Sequence, residues 1–159
     1  MALHVRPATR ADVPLIFRLI CDLAEYERAR DEVKTNVEAL TEQLFGAHPG
    51  AEAVIGEIDG TPRGFALFFH NFSTWHGKRG LYLEDLYVEP ASRGSGLGKA
   101  LLVHLAKIAV ERKCARFEWS VLDWNEPALK FYAALGAKPM TEWTVHRVDG
   151  EALLRLAQT

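Results

Sequence analysis

The spacing of apolar residues along the chain predicts an α/β sheet flanked by helices. From Val13 to Ala24, apolar side chains recur at i, i+3, i+4, i+7 and i+8, the pattern of an amphipathic helix. Further helices are predicted after Asn36, after the glycines at 94–98, after Asn125 and over 150–157, and strands over 4–6, 53–58, 64–69, 81–88, 116–121 and 142–148. The order β-α-α-β-β-β-α-β-α-β, followed by the last helix, predicts one domain with a sheet of mixed strand direction over residues 1–159.

The segment Leu81–Val88 is the strand around which we expect the sheet to be built. Simple alternation places Tyr82, Leu86 and Val88 on one face and Leu81, Leu83 and Tyr87 on the other, so both faces are apolar, as in a covered central strand. Within it, Glu84 and Asp85 are predicted to point to opposite faces. Carboxylates in a covered strand are costly unless they are paired or functional. A strand-end salt bridge beside a solvated carboxylate remains the alternative to a functional pair.

A glycine-rich turn, Arg93-Gly94-Ser95-Gly96-Leu97-Gly98, follows that strand and leads directly into a helix. Glycines let the backbone approach a ligand closely, and the first N–H groups of a helix attract anions. We therefore predict a diphosphate-binding turn, with a simple flexible turn as the alternative. The P-loop pattern fails because Arg93 and Ala100 stand where it needs a glycine and a hydroxyl. The dinucleotide pattern G-x-G-x-x-G does not match either.

Composition narrows the class of protein. Apolar residues make up 48% of the 159 residues, and the net charge is −2, which argues against a dedicated nucleic-acid surface. No apolar run approaches the roughly 20 residues of a membrane span, and the N-terminus lacks a signal-peptide pattern. The two cysteines lie far apart, and no Cys/His set has zinc-ligand spacing. We expect reduced thiols, a cytoplasmic location and no metal.

The turn at 93–98 matches the pattern [RQ]-x-x-G-x-[GA], and through it the chain resembles the GNAT superfamily of N-acetyltransferases. Within that superfamily the chain is most similar to the diamine (spermidine/spermine) and thialysine N-acetyltransferases. The similarity is carried by VRPATRADVPLIFRLICDLAEYE, GFALFFHNFSTWHGKRGLYLEDLYV, RGSGLG and VLDWNEPALKFYAALGA. It implies an acyl-CoA N-acyltransferase fold, in which the strands at 81–88 and 116–121 run parallel and splay apart to admit the pantetheine arm.

The resemblance also implies a set of site residues. Tyr132 corresponds to a general acid for the departing CoA sulfur, and Glu84 to a residue that binds the amine and helps take up its proton. By itself, a tyrosine on a helix is more typical of packing. The implied acetyl-CoA contacts are Leu86, Tyr87, Val88, Arg93, Gly94, Ser95, Gly96, Leu97, Gly98, Lys99, Asn125, Glu126, Pro127 and Ala128. The implied amine-site residues are Tyr26, Glu27, Glu84, Glu118, Trp119, Ser120 and Glu142.

The function implied by the resemblance is direct acetyl transfer from acetyl-CoA to a primary amine in a ternary complex. The expected acceptor is a small cationic molecule (a diamine, a polyamine, or a thialysine- or lysine-like amine), and a homodimer is implied. A protein lysine or N-terminus is an alternative acceptor, and a non-catalytic acyl-CoA-binding module is an alternative function. The short hairpin at 59–62 and the segment at 143–146 differ from the vertebrate members, which leaves the acceptor open.

Overall fold

A five-stranded mixed sheet forms the centre of the first of two units into which the chain divides, residues 1–120 and 121–159. The computed structural model describes all residues from 1 to 159. The strands are β1 (Leu3–Pro7), β2 (Glu52–Ile58), β3 (Thr61–Phe69), β4 (Phe72–Ser73), β5 (Lys78–Arg79), β6 (Leu81–Val88) and β7 (Phe117–Trp119). The sheet order is β1-β2-β3-β6-β7, antiparallel except for the parallel pair β6–β7. The predicted fold class is confirmed.

Helices cover both faces of this sheet. In the first unit they are α1 (Val13–Tyr26), α2 (Val37–Phe45) and α3 (Leu97–Glu111). The α2 start follows the predicted cap, since the Asn36 side chain accepts a hydrogen bond from Ala39 N at 2.8 Å. Both amphipathic helices α1 and α2 bury their apolar stripes against the β3 side chains Phe65 and Leu67. On the other face, α3 packs so closely on β2 that a Cβ at Gly56 would lie 2.9 Å from the Leu97 side chain.

One half-buried ion cluster fixes the start of α1 to the sheet. Arg6 donates to both carboxylate oxygens of Asp12, at 2.8 and 3.0 Å, and to Glu57 at 3.1 Å. The Arg6 bonds lower the pKa of Asp12 to about 2. The charge-assisted bonds therefore tie β1, β2 and the N-terminus of α1 together, and α1 enters the sheet face at a fixed angle.

A β-bulge in β6 corrects the predicted distribution of its side chains. Leu83 pairs with Phe68 and Asp85 pairs with Leu67, so Glu84 has no partner on β3 and is the extra residue. Because paired residues share a face, Asp85 lies with Tyr82 and Tyr87 on the side of α1 and α2. Leu81 and Leu83 then share the α3 side with Leu86 and Val88. The predicted grouping of Leu81 and Leu83 with Tyr87 was wrong, since simple alternation does not count an inserted residue.

The second unit contains α4 (Glu126–Ala134) and α5 (Gly150–Ala157), both close to their predicted bounds. The strand predicted over 142–148 is absent, because this segment has no hydrogen-bonded neighbour strand. Two smaller differences lie in the first unit. The predicted strand at 116–121 is limited to β7, and the predicted loop at 70–80 contains the short hairpin β4–β5. No helix of the chain has both the length and the apolar character needed to cross a bilayer.

Candidate active site

The parallel pair β6–β7 is open over much of its length. The two strands are hydrogen-bonded only from Leu81 to Leu83 on β6, opposite Phe117 to Trp119 on β7. From Glu84 to Val88, β6 continues with β3 on one side and no strand on the other. Unpaired backbone amides and carbonyls of this kind can bind an extended amide-containing chain in the manner of an added strand.

The glycine-rich turn follows the open part of β6 and has the backbone of an anion-binding turn. Gly94 and Gly96 have φ of 81° and 90°, a region that only glycine adopts without strain. The first hydrogen bond of α3 runs from Ala100 N to Gly96 O at 3.0 Å, and Leu97 N donates to the Ser95 hydroxyl at 3.3 Å. The amides of Gly98 and Lys99 therefore precede the helical hydrogen-bond ladder, where a diphosphate can bind them.

Gly98 fits a bound ligand better than it fits any need of the chain itself. It is helical, and a Cβ placed there would meet nothing closer than Val88 Cγ2 at 3.9 Å, an ordinary contact. Neither backbone conformation nor packing within the chain therefore requires glycine at this position. The space in front of the first turn of α3 is open to a ligand. The turn thus has the anion-binding backbone and the open space that a CoA diphosphate requires.

The side chain of Arg93, the first residue of the motif, turns back onto the sheet. Its Nε donates to Val88 O at 3.1 Å. Its guanidinium carbon lies 5.1 Å from the centre of the Tyr26 ring and 5.4 Å from that of the Tyr87 ring. Val88 O, which the resemblance assigns to cofactor binding, is thus occupied by Arg93 in this structure.

Three carboxylates from two elements form an acidic cluster: Glu27, which caps the C-terminus of α1, and Glu84 and Asp85 of β6. Burial, together with the charges of Glu84 and Glu27, raises the pKa of Asp85 to about 6. Burial also raises the pKa of Glu27, with Glu84 as a second cause. The predicted residues Glu27 and Glu84 are thus near enough for the charge of Glu84 to act on Glu27. Sequence reasoning favoured Glu84 and missed Asp85, although a carboxylate in a covered strand was the signal for both.

The predicted amine-site residues of the β7 segment are engaged within the first unit. Glu118 accepts a hydrogen bond from Asn71 Nδ2 at 3.3 Å and lies 3.6 Å from Arg116 Nε, so its charge is partly neutralised. The Ser120 hydroxyl is hydrogen-bonded to the Tyr82 hydroxyl at 2.7 Å. Alternation places Trp119 on the opposite face, where its ring lies 5.0 Å from that of Phe117.

A cavity of about 450 Å³ follows directly after Tyr26 and Glu27 at the end of α1. Its walls carry both signs of charge. The lining residues are Glu25, Arg28, Ala29, Arg30, Asp31 and Glu32.

The second unit carries the other predicted residues, and its local geometry is that of a well-capped helix. Asn125 accepts from Ala128 N at 3.4 Å, and Pro127 occupies the first turn of α4 after Glu126. Tyr132 lies in α4, with its ring 5.5 Å from that of Phe131. Glu142 lies in a turn before the irregular segment that leads to α5, and it is exposed. No group of three or more His, Cys, Asp or Glu side chains in the structure is arranged to hold a metal ion.

Comparison with known proteins identifies the family. The acetyltransferase (GNAT) family model matches residues 16–137. The chain is 40% identical to the thialysine N-epsilon-acetyltransferase of Bos taurus over 96% of each chain. It is 32% identical, over 97% of its length, to the spermidine/spermine N(1)-acetyltransferase-like protein 1 of Homo sapiens, 24% of which is covered. An integron cassette protein from the V. cholerae mobile metagenome superposes with a TM-score of 0.82 at 27% identity, covering 100% of this chain and 99% of that one. The chain belongs to the acetyltransferase (GNAT) family.

The half-buried position of Asp85 predicts a pH-dependent cost to stability. Its pKa rises from 3.8 in the unfolded chain to about 6 in the fold, so stability falls as pH rises from 4 to 6 and stays reduced above. Asp85→Asn should therefore raise the free energy of unfolding by about 1–3 kcal/mol at pH 7 and have little effect near pH 4. Denaturant unfolding at both pH values measures this. Glu84→Gln removes only the charge of Glu84, a smaller cause of the raised Asp85 pKa than burial, and should change the free energy of unfolding less. A destabilising Asp85→Asn at pH 7 would contradict the assignment.

Proposed function

We propose that this member of the acetyltransferase (GNAT) family transfers the acetyl group of acetyl-CoA to a primary amine of a small cationic substrate, by direct transfer in a ternary complex. The observation that carries the proposal is the cluster of Glu27, Glu84 and Asp85 beside the open edge of β6. A cation entering the cluster relieves the repulsion between its carboxylates. The relatives named for thialysine and for spermidine/spermine support a diamine, a polyamine or a thialysine- or lysine-like acceptor.

The acidic cluster has two tasks in this proposal. Alkylammonium groups are protonated at neutral pH, so the site must bind the cation and then remove a proton before the nitrogen can attack. Glu84, exposed on the bulge of β6, is proposed to bind the amine and accept its proton, directly or through a water molecule. Asp85, whose pKa is about 6, is a second acceptor that is well matched to neutral pH. Tyr26, Glu118, Trp119, Ser120 and Glu142 are proposed to line the acceptor's path.

Acetyl-CoA is proposed to bind along β6 and the glycine-rich turn, and it supplies an activated acyl carbon and a thiolate leaving group. The open β6 backbone at Leu86 and Tyr87, the turn at 94–99 and the α4 start at 125–128 are the proposed contacts. Tyr132 is proposed to donate its phenolic proton to the sulfur as the C–N bond forms and the C–S bond breaks. Both units then belong to one catalytic domain, which the family match supports because it crosses residue 120.

A thiol-release assay tests this function. Acetyl-CoA is offered with putrescine, spermidine, thialysine, lysine and a lysine-containing peptide, and turnover is expected with at least one free amine. Tyr132→Phe should lose turnover by at least about tenfold while it still binds CoA, because only the proton donor is removed. Turnover restricted to the peptide would replace the small amine with a protein acceptor. Absence of turnover with every acceptor, while CoA still binds, would contradict the proposed enzymatic activity. Unchanged turnover in Tyr132→Phe would contradict the role of Tyr132 as general acid.

A substitution at Gly98 distinguishes an effect on ligand binding from an effect on folding stability. Gly98→Ala should weaken CoA binding by at least about tenfold, because its Cβ occupies the space in front of the first helical turn. Its free energy of unfolding should stay equal or rise slightly, since alanine suits a helix better than glycine. Gly96→Ala is the matched control, with φ of 90°, and should lower that free energy by about 1–2 kcal/mol. Calorimetric titration and denaturant unfolding measure both effects. Full CoA affinity in Gly98→Ala would contradict this site for the diphosphate.

We further propose that the active form is a cytoplasmic homodimer. Both cysteines are free thiols, in keeping with a reducing compartment. β7 is an edge strand, while the strand-like segment at 142–148 is exposed, with Trp143 and Val145 at 69% and 84%. Each chain therefore has an edge strand, β7, and an exposed segment with the composition of a strand. In a dimer, the segment of each copy is proposed to pair with β7 of the other copy.

The oligomeric state is measurable by light scattering during size-exclusion chromatography. The mass is expected to be twice that of one chain. Val145→Asp should shift the equilibrium toward the monomer, because it places a charge in the proposed strand pairing. Val110→Asp, a comparably exposed valine on α3, is the control and should leave the mass unchanged. A wild-type monomer at micromolar concentration would contradict the dimer.

A further inference from the structure

We infer that Arg93 is a positioning residue that couples the cofactor turn to the amine end of α1, and that it is not a ligand of the cofactor phosphates. The inference deepens the proposed function, on which its kinetic part rests. It is carried by three contacts of one side chain, to β6, to Tyr87 and to Tyr26. The resemblance to the family assigns Arg93 only to the cofactor turn and gives no reason for contacts with the tyrosines.

The contacts of Arg93 hold it away from the turn that it begins. The bond from its Nε to Val88 O, at 3.1 Å, folds the side chain back along β6. The guanidinium then lies between two aromatic rings, with ring centres 5.1 and 5.4 Å away, within the range of cation–π attraction. A planar guanidinium suits this position because it can stack on rings and still donate hydrogen bonds at its edge.

A second contact fixes the same segment to α1. Glu89, the residue after β6, accepts from Arg18 of α1 at 2.8 Å and from Arg63 of β3 at 3.3 Å. The chain between Val88 and Arg93 is thus attached to α1 near its middle through Arg18 and at its C-terminal end through Tyr26. The cofactor turn and the last turn of α1 are therefore mechanically connected.

The last turn of α1 is also where the acidic cluster begins. Tyr26 is followed at once by Glu27, whose charge acts on Asp85. A shift of Tyr26 therefore moves Glu27 relative to Glu84 and Asp85 and changes the site for the cation. A ligand that orders the turn at 93–98 stabilises the position of Arg93 against the rings of Tyr26 and Tyr87. Through Tyr26, it also stabilises the position of Glu27 in the acidic cluster. Binding of the cofactor and of the amine should consequently strengthen each other to the same degree.

Kinetics with Arg93→Met separate this role from phosphate binding. Methionine keeps an unbranched apolar stem and removes the planar charge, so the KM for the amine should rise about three- to tenfold. The dissociation constant of CoA, measured without amine, should change less than the amine KM. Lys99→Met removes a positive charge from the first turn of α3 without changing Arg93, Tyr26 or Tyr87. It should weaken CoA binding and leave the amine KM within about twofold.

The aromatic partner provides a second test. Tyr26→Leu should raise the amine KM, and Tyr26→Leu combined with Arg93→Met should cost little more than either change alone, because both break one contact. Tyr26→Phe keeps the ring and should retain the coupling between CoA and amine binding. Additive effects in the double variant would overturn the inference. So would an Arg93→Met variant that loses CoA affinity tenfold or more with an unchanged amine KM, the result expected of a phosphate ligand.

Hydrogen exchange tests the contact between Arg93 and Tyr26 in the absence of any substrate. The amides of Glu27, Arg28 and Ala29 are hydrogen-bonded to Leu23 O, Glu25 O and Ala24 O at 2.8–3.0 Å. Arg93→Met should speed their exchange several-fold and leave the amides of β1 unchanged. Unchanged exchange at 27–29 would overturn the inference even in an active enzyme. A wild-type protein without acetyl transfer would contradict the proposed function, whereas faster exchange in the variant would still support the Arg93 contact.

Discussion

The extra residue at Glu84 determines most of what the candidate site contains. Because β6 gains one residue against β3 at this point, Asp85 lies on the α1 side of the sheet and Glu84 remains exposed on the bulge. The pairing of β6 with β7 ends one residue earlier, at Leu83. The acidic cluster and the open backbone edge therefore begin at the same place. A regular strand would give neither the cluster nor the open edge. It would direct only one of Glu84 and Asp85 toward the α1 side, and it would keep the neighbouring strand β7 within pairing distance.

Helix α1 contributes to the site mainly through its position. Its N-terminus is held by the Arg6–Asp12 ion pair, its middle by Arg18 on Glu89, and its C-terminus by Tyr26 under Arg93. The apolar stripe of the helix is buried along the whole length between these points. The result is a rigid support for Glu27, and rigidity matters there because the charge of Glu27 acts on Asp85 without a direct bond.

The sequence predicted the elements well and their pairing less well. Local signals, such as the Asn36 cap and the glycines at 94–98, placed helices correctly because caps and turns depend on a few adjacent residues. The face of Asp85 was not predictable from β6 alone, since a bulge is a property of two paired strands. For the same reason the segment at 142–148 has the composition of a strand without forming one. The stacking of Arg93 on Tyr26 joins positions far apart in sequence, and no local pattern indicates it.

A half-buried carboxylate with a raised pKa is unusual in a strand that could hold an apolar residue. Asp85 lies beside Leu67 and Tyr87, where an apolar side chain would fill the site without desolvating a charge. The cluster is therefore less stable than the surrounding core permits, and its repulsion is relieved only when a proton or another cation enters it. A site of this kind favours binding of a cation over binding of a neutral amine. It also favours a carboxylate that accepts the proton as the nitrogen becomes an amide and its positive charge is lost. The location of this repulsion at the end of the β6–β7 pairing, where the backbone edge is open, supports the proposal that the amine and the acyl donor meet there.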